Sequence, residues 1–132
     1  MQRWFRRTMP LALVILVTAG GLAACQPDRG DPIRISRDFI VAIWTGNTEQ
    51  ARKLSCQDTR WSITGDPTLT VDLDHAHFEV TSQTRDRVEV TLSGVVTFKA
   101  PDGQVEVRDL NSAGATVFIL EDQNGWKVCD VR

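Results

Sequence analysis

The chain has 132 residues, of which 42% are apolar and 24% charged, with 15 Lys and Arg, 17 Asp and Glu, and three cysteines. That length suits one globular domain after a short tether, and the acidic balance makes an anionic lipid surface an unlikely partner. A net charge of −2, with no run of more than two positive residues, argues against nucleic acid as a partner.

Residues Met1 to Thr8 carry Arg3, Arg6 and Arg7 and no acid, and Leu11 to Ala19 is an apolar run closed by Gly20-Gly21. An anchor helix left in place would need roughly 20 apolar residues, so this run reads as the core of an export signal. Arg6-Arg7 is followed by Thr8-Met9-Pro10, which fits general secretion better than twin-arginine export. Leu22-Ala23-Ala24-Cys25 resembles a bacterial lipobox, in which a small residue precedes a cysteine that is cut free and acylated. On that resemblance residues 1–24 are a lipoprotein signal peptide, 25–30 a lipidated tether and 31–132 a domain. Acyl chains on Cys25, palmitate among them, each add on the order of 0.8 kcal/mol per buried methylene, enough together to hold a small domain at a membrane. Gln26 stands where an aspartate would, by resemblance to enterobacterial lipoproteins, favour the inner membrane. The expected place is therefore the cell envelope: the periplasmic face of an outer membrane, or the outer leaflet of the plasma membrane in a cell with one membrane.

Three of the 15 basic residues fall in the leader, so the mature part carries 12 against 17 acids, a net charge of −5. With Cys25 acylated, Cys56 and Cys129 remain as an even pair outside the cytoplasm and are expected to form a disulfide. In the chain-entropy model a loop of about 70 residues closed this way stabilises by about 4 kcal/mol.

After Pro27 and Gly30 in the tether, Asp31-Pro32 opens a helix, with Asp31 as cap and Pro32 in the first turn. Ile33, Phe39, Ile40, Ile43 and Trp44 lie mostly on one face, and Gly46-Asn47 stops it. A shorter helix starts with Thr48 as cap and runs through Ala51 and Leu54 toward Cys56. From Gln57 to Leu69 the signals conflict, Trp61 and Ile63 being apolar while Gly65-Asp66-Pro67 forces a turn, so the stretch reads as a connection that tucks Trp61 against the core. The period then changes to two. Val71 and Leu73 alternate with acids, and Ala76, Phe78 and Val80 follow in the other phase, which sets a break or bulge near Asp74.

Beyond a turn at Arg85-Asp86, Val88, Val90, Leu92, Val96 and Phe98 line one face of a long strand with Gly94 at a bulge or bend. Pro101-Asp102-Gly103 makes a hairpin, and the return through Val105 and Val107 to Leu120, interrupted at Asn111-Ser112-Ala113-Gly114, is one kinked strand or two. Asn124-Gly125 then turns the chain into a last strand, Trp126 to Val131, that carries Cys129. The class is α+β: an N-terminal helix pair on a bent, cone-like antiparallel sheet of four to five strands.

That order, with Phe39 to Trp44, Gly46-Asn47, Ala51, Leu54-Ser55-Cys56 and the terminal Gly125-Trp126-Lys127-Val128-Cys129-Asp130-Val131, resembles the nuclear transport factor 2-like (cystatin-like) small bacterial lipoproteins, over roughly Asp31 to Arg132. The resemblance implies a cone of sheet closed by helices, often with a cavity. It carries no catalytic residue, because the matching positions are structural.

Three sets of residues remain as candidates for chemistry. His75, His77 and Glu79 alternate on one strand about 7 Å apart, spacing that could ligate zinc or copper, but the apolar Phe78 and Val80 make theirs the solvated face, so they are weak metal candidates. Trp44, Trp61, Phe98, Phe118 and Trp126 could wall an apolar pocket or simply fill the helix-to-sheet interface. Enzymes of the resembling fold, ketosteroid isomerases and polyketide cyclases, set acids, histidines or tyrosines inside the cone; this chain has no tyrosine, and Asp38 is its one acid near the mouth. The expectation is a non-enzymatic, cofactor-free module for a small apolar ligand or an envelope protein, the alternative being a cyclase- or isomerase-type enzyme using the cone.

Overall fold

The computed structural model describes residues 28–111 and 114–132. The leader, the lipobox with Cys25, and Ser112 and Ala113 of the expected interruption lie outside the described residues.

Helix α1 spans Pro32–Trp44. The Asp31 carboxylate accepts the Ile33 N–H at 3.0 Å, which satisfies one donor of the first turn, and Pro32 needs no partner there. Its buried face is Ile35, Ser36, Phe39, Ile40 and Ala42, with Ile33, Ile43 and Trp44 packed at its margin. Helix α2 spans Thr48–Leu54. Its cap is Asn47 and not Thr48: the Asn47 side chain accepts the Gln50 N–H at 3.2 Å, while its own N–H bonds the Ala42 carbonyl at 2.8 Å and so joins the two helices. Ala51, fully buried, is where α2 meets the core.

Six strands follow: β1 Thr70–Asp72, β2 Ala76–Gln83, β3 Arg87–Lys99, β4 Val105–Asp109, β5 Thr116–Asp122 and β6 Trp126–Val131. All pair antiparallel, and β3 is the spine. Its first half lies between β2 and β5, with Val90 opposite Val80 and Phe118; its second half lies between β1 and β4, with Phe98 opposite Val71 and Glu106. Strand β6 extends the first half beyond β5. The count exceeds four to five because both interruptions in the sequence divide strands: the phase slip separates β1 from β2, and the stretch after Asp109 separates β4 from β5.

Gly94 is the joint between the halves. Its φ is +90°, and a Cβ there would collide with the His75 carbonyl. Its N–H bonds the Asn111 side chain at 3.1 Å and its carbonyl accepts from Leu110 at 2.9 Å, so the spine changes neighbours on both sides at one residue.

The helices cover the face made by Val88, Val90, Leu92, Phe118, Leu120, Trp126 and Val128. Apolar side chains at every second position of β3 therefore meet the apolar stripe of α1, which is the burial that drives the two layers together. After α2, Ser55 bridges to Val128 in parallel and the Cys56 N–H bonds the Val128 carbonyl at 2.9 Å. That short alignment sets Cys56 beside Cys129, Cα to Cα 4.9 Å, and the two form the disulfide.

Candidate functional site

The interior between helices and sheet is filled. Val88, Val90, Leu92, Phe118, Leu120 and Val128 have no exposed surface, and Phe39 has 1%. The buried polar residues are Ser36, whose hydroxyl donates to the Pro32 carbonyl at 2.8 Å, and Ser55, which donates to that of Arg52 at 3.2 Å. Among the described residues no acid or histidine is buried. Asp38 is exposed beside Arg37 on the outer side of α1, lining a shallow recess with Val41 and Gln50.

The five aromatic residues do not gather in one pocket. Phe118 sits wholly in the core, edge-on to Phe39 with centroids 6.4 Å apart. Trp61 packs edge-on to Phe39 at 5.1 Å, tucked against the core, and its buried Nε1 has no partner among the described residues. Trp126 is 4% exposed and lies under Arg29. Trp44 and Phe98 do meet, edge to face at 5.1 Å, and with them a surface cleft opens.

That cleft, of about 350 Å³, lies between the end of α1, the connection 62–69 and the second half of the sheet. Trp44, Phe98, Ile43 and Leu69 give it apolar walls; Ser62, Thr64, Asp66, Glu106 and Arg108 give it a polar rim. Gly65 makes the walls meet, since a Cβ there would collide with the carbonyl oxygens of Ile43 and Trp44. The next N–H, of Asp66, bonds the Trp44 carbonyl at 3.1 Å and so caps an open helix end. Asp66 in turn accepts from the Thr68 hydroxyl at 2.6 Å and its N–H at 2.8 Å, bonds that hold its carboxyl below its ordinary value of 3.8. Across the cleft the Arg108 guanidinium stacks 4.7 Å from the Phe98 ring and its Nε donates to Glu106 at 2.9 Å. A charged rim around aromatic walls can hold an apolar group by burial and orient it by polar contacts.

The histidines do not assemble a metal centre. His75 lies in the turn before β2, where its carbonyl accepts the Val95 N–H at 3.0 Å, and His77 is exposed on the outer face opposite Ser93. Among the described residues, one set of three potential ligands lies within 4.8 Å, namely Cys56, Glu121 and Cys129, and its sulfurs are spent on the disulfide.

The sequence reading missed the residues that shape this region. Asp66, Leu69 and Arg108 sit on segments that read as turn or ordinary strand, and only the approach of Gly65 to α1 brings them to Trp44. It also took Arg29 as plain tether, where Arg29 stacks 4.5 Å from the Trp126 ring and pairs with Asp122 at 3.7 Å.

No family model matches the chain, and no curated protein matches it. Among solved structures it is similar to the association domain of C. elegans CaMKII, with a TM-score of 0.50 and 12% identity, over 75% of this chain and 88% of that one. That domain has the nuclear transport factor 2-like fold, and at such identity the likeness carries the fold: two helices on an open, six-stranded antiparallel sheet.

Proposed function

We propose that the chain is a lipid-anchored extracytoplasmic protein whose domain docks an envelope protein, or holds a small apolar ligand, without catalysing a reaction. The observation that carries this reading is the filled, apolar interior. Moving a proton beside a carbonyl needs an acid or base within hydrogen-bond reach of the substrate. The two buried serines are already bonded to carbonyls and are poor at that task. Recognition is then left to the surface, where the Trp44 and Phe98 cleft combines an aromatic floor with a polar rim.

The anchor rests on the lipobox pattern at Cys25 and on the disulfide, a bond that belongs to oxidising compartments. Arg29 follows Cys25 by four residue steps, which span at most about 14 Å. Arg29 is fastened to the β5–β6 hairpin, its carbonyl accepting the Trp126 N–H at 2.9 Å. The domain is thus held by that hairpin end, and the cleft lies at the other end of β3.

Two measurements test the reading. Metabolic labelling with an alkyne palmitate should mark the wild-type chain and not Cys25→Ser. A photoreactive side chain at Thr64, on the cleft rim, should yield a discrete protein or small-molecule adduct in the envelope, while one at Glu79, on the outer face of β2, should not. Equal labelling of the two sites would count against the cleft.

A further inference from the structure

We propose that the chain forms a two-fold homodimer by joining β4 of one copy to β4 of another, edge to edge and antiparallel, about Val107. Strand β4 pairs with β3 on one side and, among the described residues, with no strand on the other. Every one of its residues is exposed, and Val105 and Val107, at 57% and 61%, are the large apolar side chains that the described surface leaves most open. An exposed edge strand is a template for another strand, and β4 carries neither proline nor bulge; its charges, Glu106 and Arg108, restrict which strand it can accept.

The backbone is phased for such a pairing. The Ala100 N–H bonds the Gln104 carbonyl and the Leu110 N–H bonds that of Gly94, both at 2.9 Å. Bonded and non-bonded pairs alternate along an antiparallel ladder, so Glu106 and Arg108 turn their backbone groups to β3, and Val107 turns its own to the open edge. An axis at Val107 lets the two copies exchange N–H and C=O there.

The side chains choose the same axis and the same occupant. Antiparallel pairing about Val107 sets Glu106 opposite Arg108 of the second copy, twice, and Val107 opposite itself. Moving the axis by one residue would set Glu106 against Glu106, or Arg108 against Arg108, and like charges directly opposite are destabilising. In the single chain these side chains are 62% and 50% exposed; among the described residues the salt bridge of each is with the other, and Arg108 also stacks on the Phe98 ring, so their charges remain open to exchange across the axis. A strand that is its own charge complement points to a second copy of this chain. Both residues also rim the cleft, so the dimer seam would run beside it.

The test uses two differently tagged full chains made in one cell, extracted in mild detergent and purified on one tag. Wild type should carry the second tag with it. Glu106→Arg paired with itself, and Arg108→Glu paired with itself, should each lose about tenfold or more of that recovery, because each sets like charges across the axis. Glu106→Arg mixed with Arg108→Glu restores opposite charges at both places and should recover it, which also proves both variants folded. Val107→Lys, at an exposed position, should lose it. Absence of wild-type co-purification, undiminished self-pairing of the single variants, or failure of the mixed pair would each overturn the proposal.

Discussion

The Arg29 guanidinium lies 4.5 Å from the centroid of the Trp126 ring, and the same side chain reaches Asp122 at 3.7 Å and the Arg85 carbonyl. One residue just before the first helix thereby fastens the β2–β3 turn and the β5–β6 hairpin and covers a core tryptophan. Arg29→Ala is expected to destabilise the domain by about 1 kcal/mol, the usual size of a partly desolvated stacked cation. Arg29→Lys should fall between, keeping the charge and losing the planar stack. Urea midpoints of the three proteins check the order.

Removing the disulfide should cost far more. Cys56 and Cys129 are 73 residues apart in sequence, and a cross-link closing such a loop stabilises by about 4 kcal/mol in the chain-entropy model. The double Cys56→Ala, Cys129→Ala variant should match the reduced wild type in denaturant, and adding reductant to the variant should change nothing.

At Gly94 two costs combine, and Gly103 separates them. Both have positive φ, +90° and +87°, but a Cβ on Gly94 would strike the His75 carbonyl while one on Gly103 would meet nothing within 4 Å. Gly103→Ala is expected to cost about 1 kcal/mol from backbone conformation alone. Gly94→Ala should cost about 3 kcal/mol, since the clash adds to the strain. Equal losses in thermal unfolding would mean that the approach of β2 to Gly94 is not tight.

Asp66 gives the cleft a pH signature. The hydroxyl and N–H of Thr68 depress its carboxyl below 3.8, so the folded state binds its proton less readily than the unfolded chain. The loop contribution is then present above the unfolded value of 3.8 and lost as pH falls through the lower folded value. Thr68→Val, which removes the hydroxyl donor, should raise the Asp66 titration midpoint toward its ordinary value. Carboxyl-carbon NMR titration checks it, and an unmoved midpoint would contradict the assignment.

Local chemistry made much of this fold legible. Asp31-Pro32, Gly46 and Asn124-Gly125 act within a few residues, and each starts or ends an element where the sequence says. The phase slip at Asp74 marks a true strand break, and Gly94 marks the bend. The α2 cap moved by one residue because Asn47 and Thr48 are both good caps, and only the Asn47 to Ala42 bond, a matter of helix packing, selects between them. The cleft was not legible because its walls come from α1, the connection 62–69 and β3, with a rim from β4, brought together by backbone contact at Gly65 that no periodicity encodes. Nor could the pattern distinguish Trp44 and Phe98 at a cleft from Phe118 in the core, since all are aromatic residues in apolar phase.

The most direct test of the account is the intact mass of the full chain extracted from membranes of the cell that makes it. The account predicts a chain that begins at Cys25, carries two or three acyl chains on that residue, and weighs two hydrogens less than its reduced form. A mass beginning at Met1, or an unmodified Cys25, would contradict the lipid anchor on which the proposed envelope role depends.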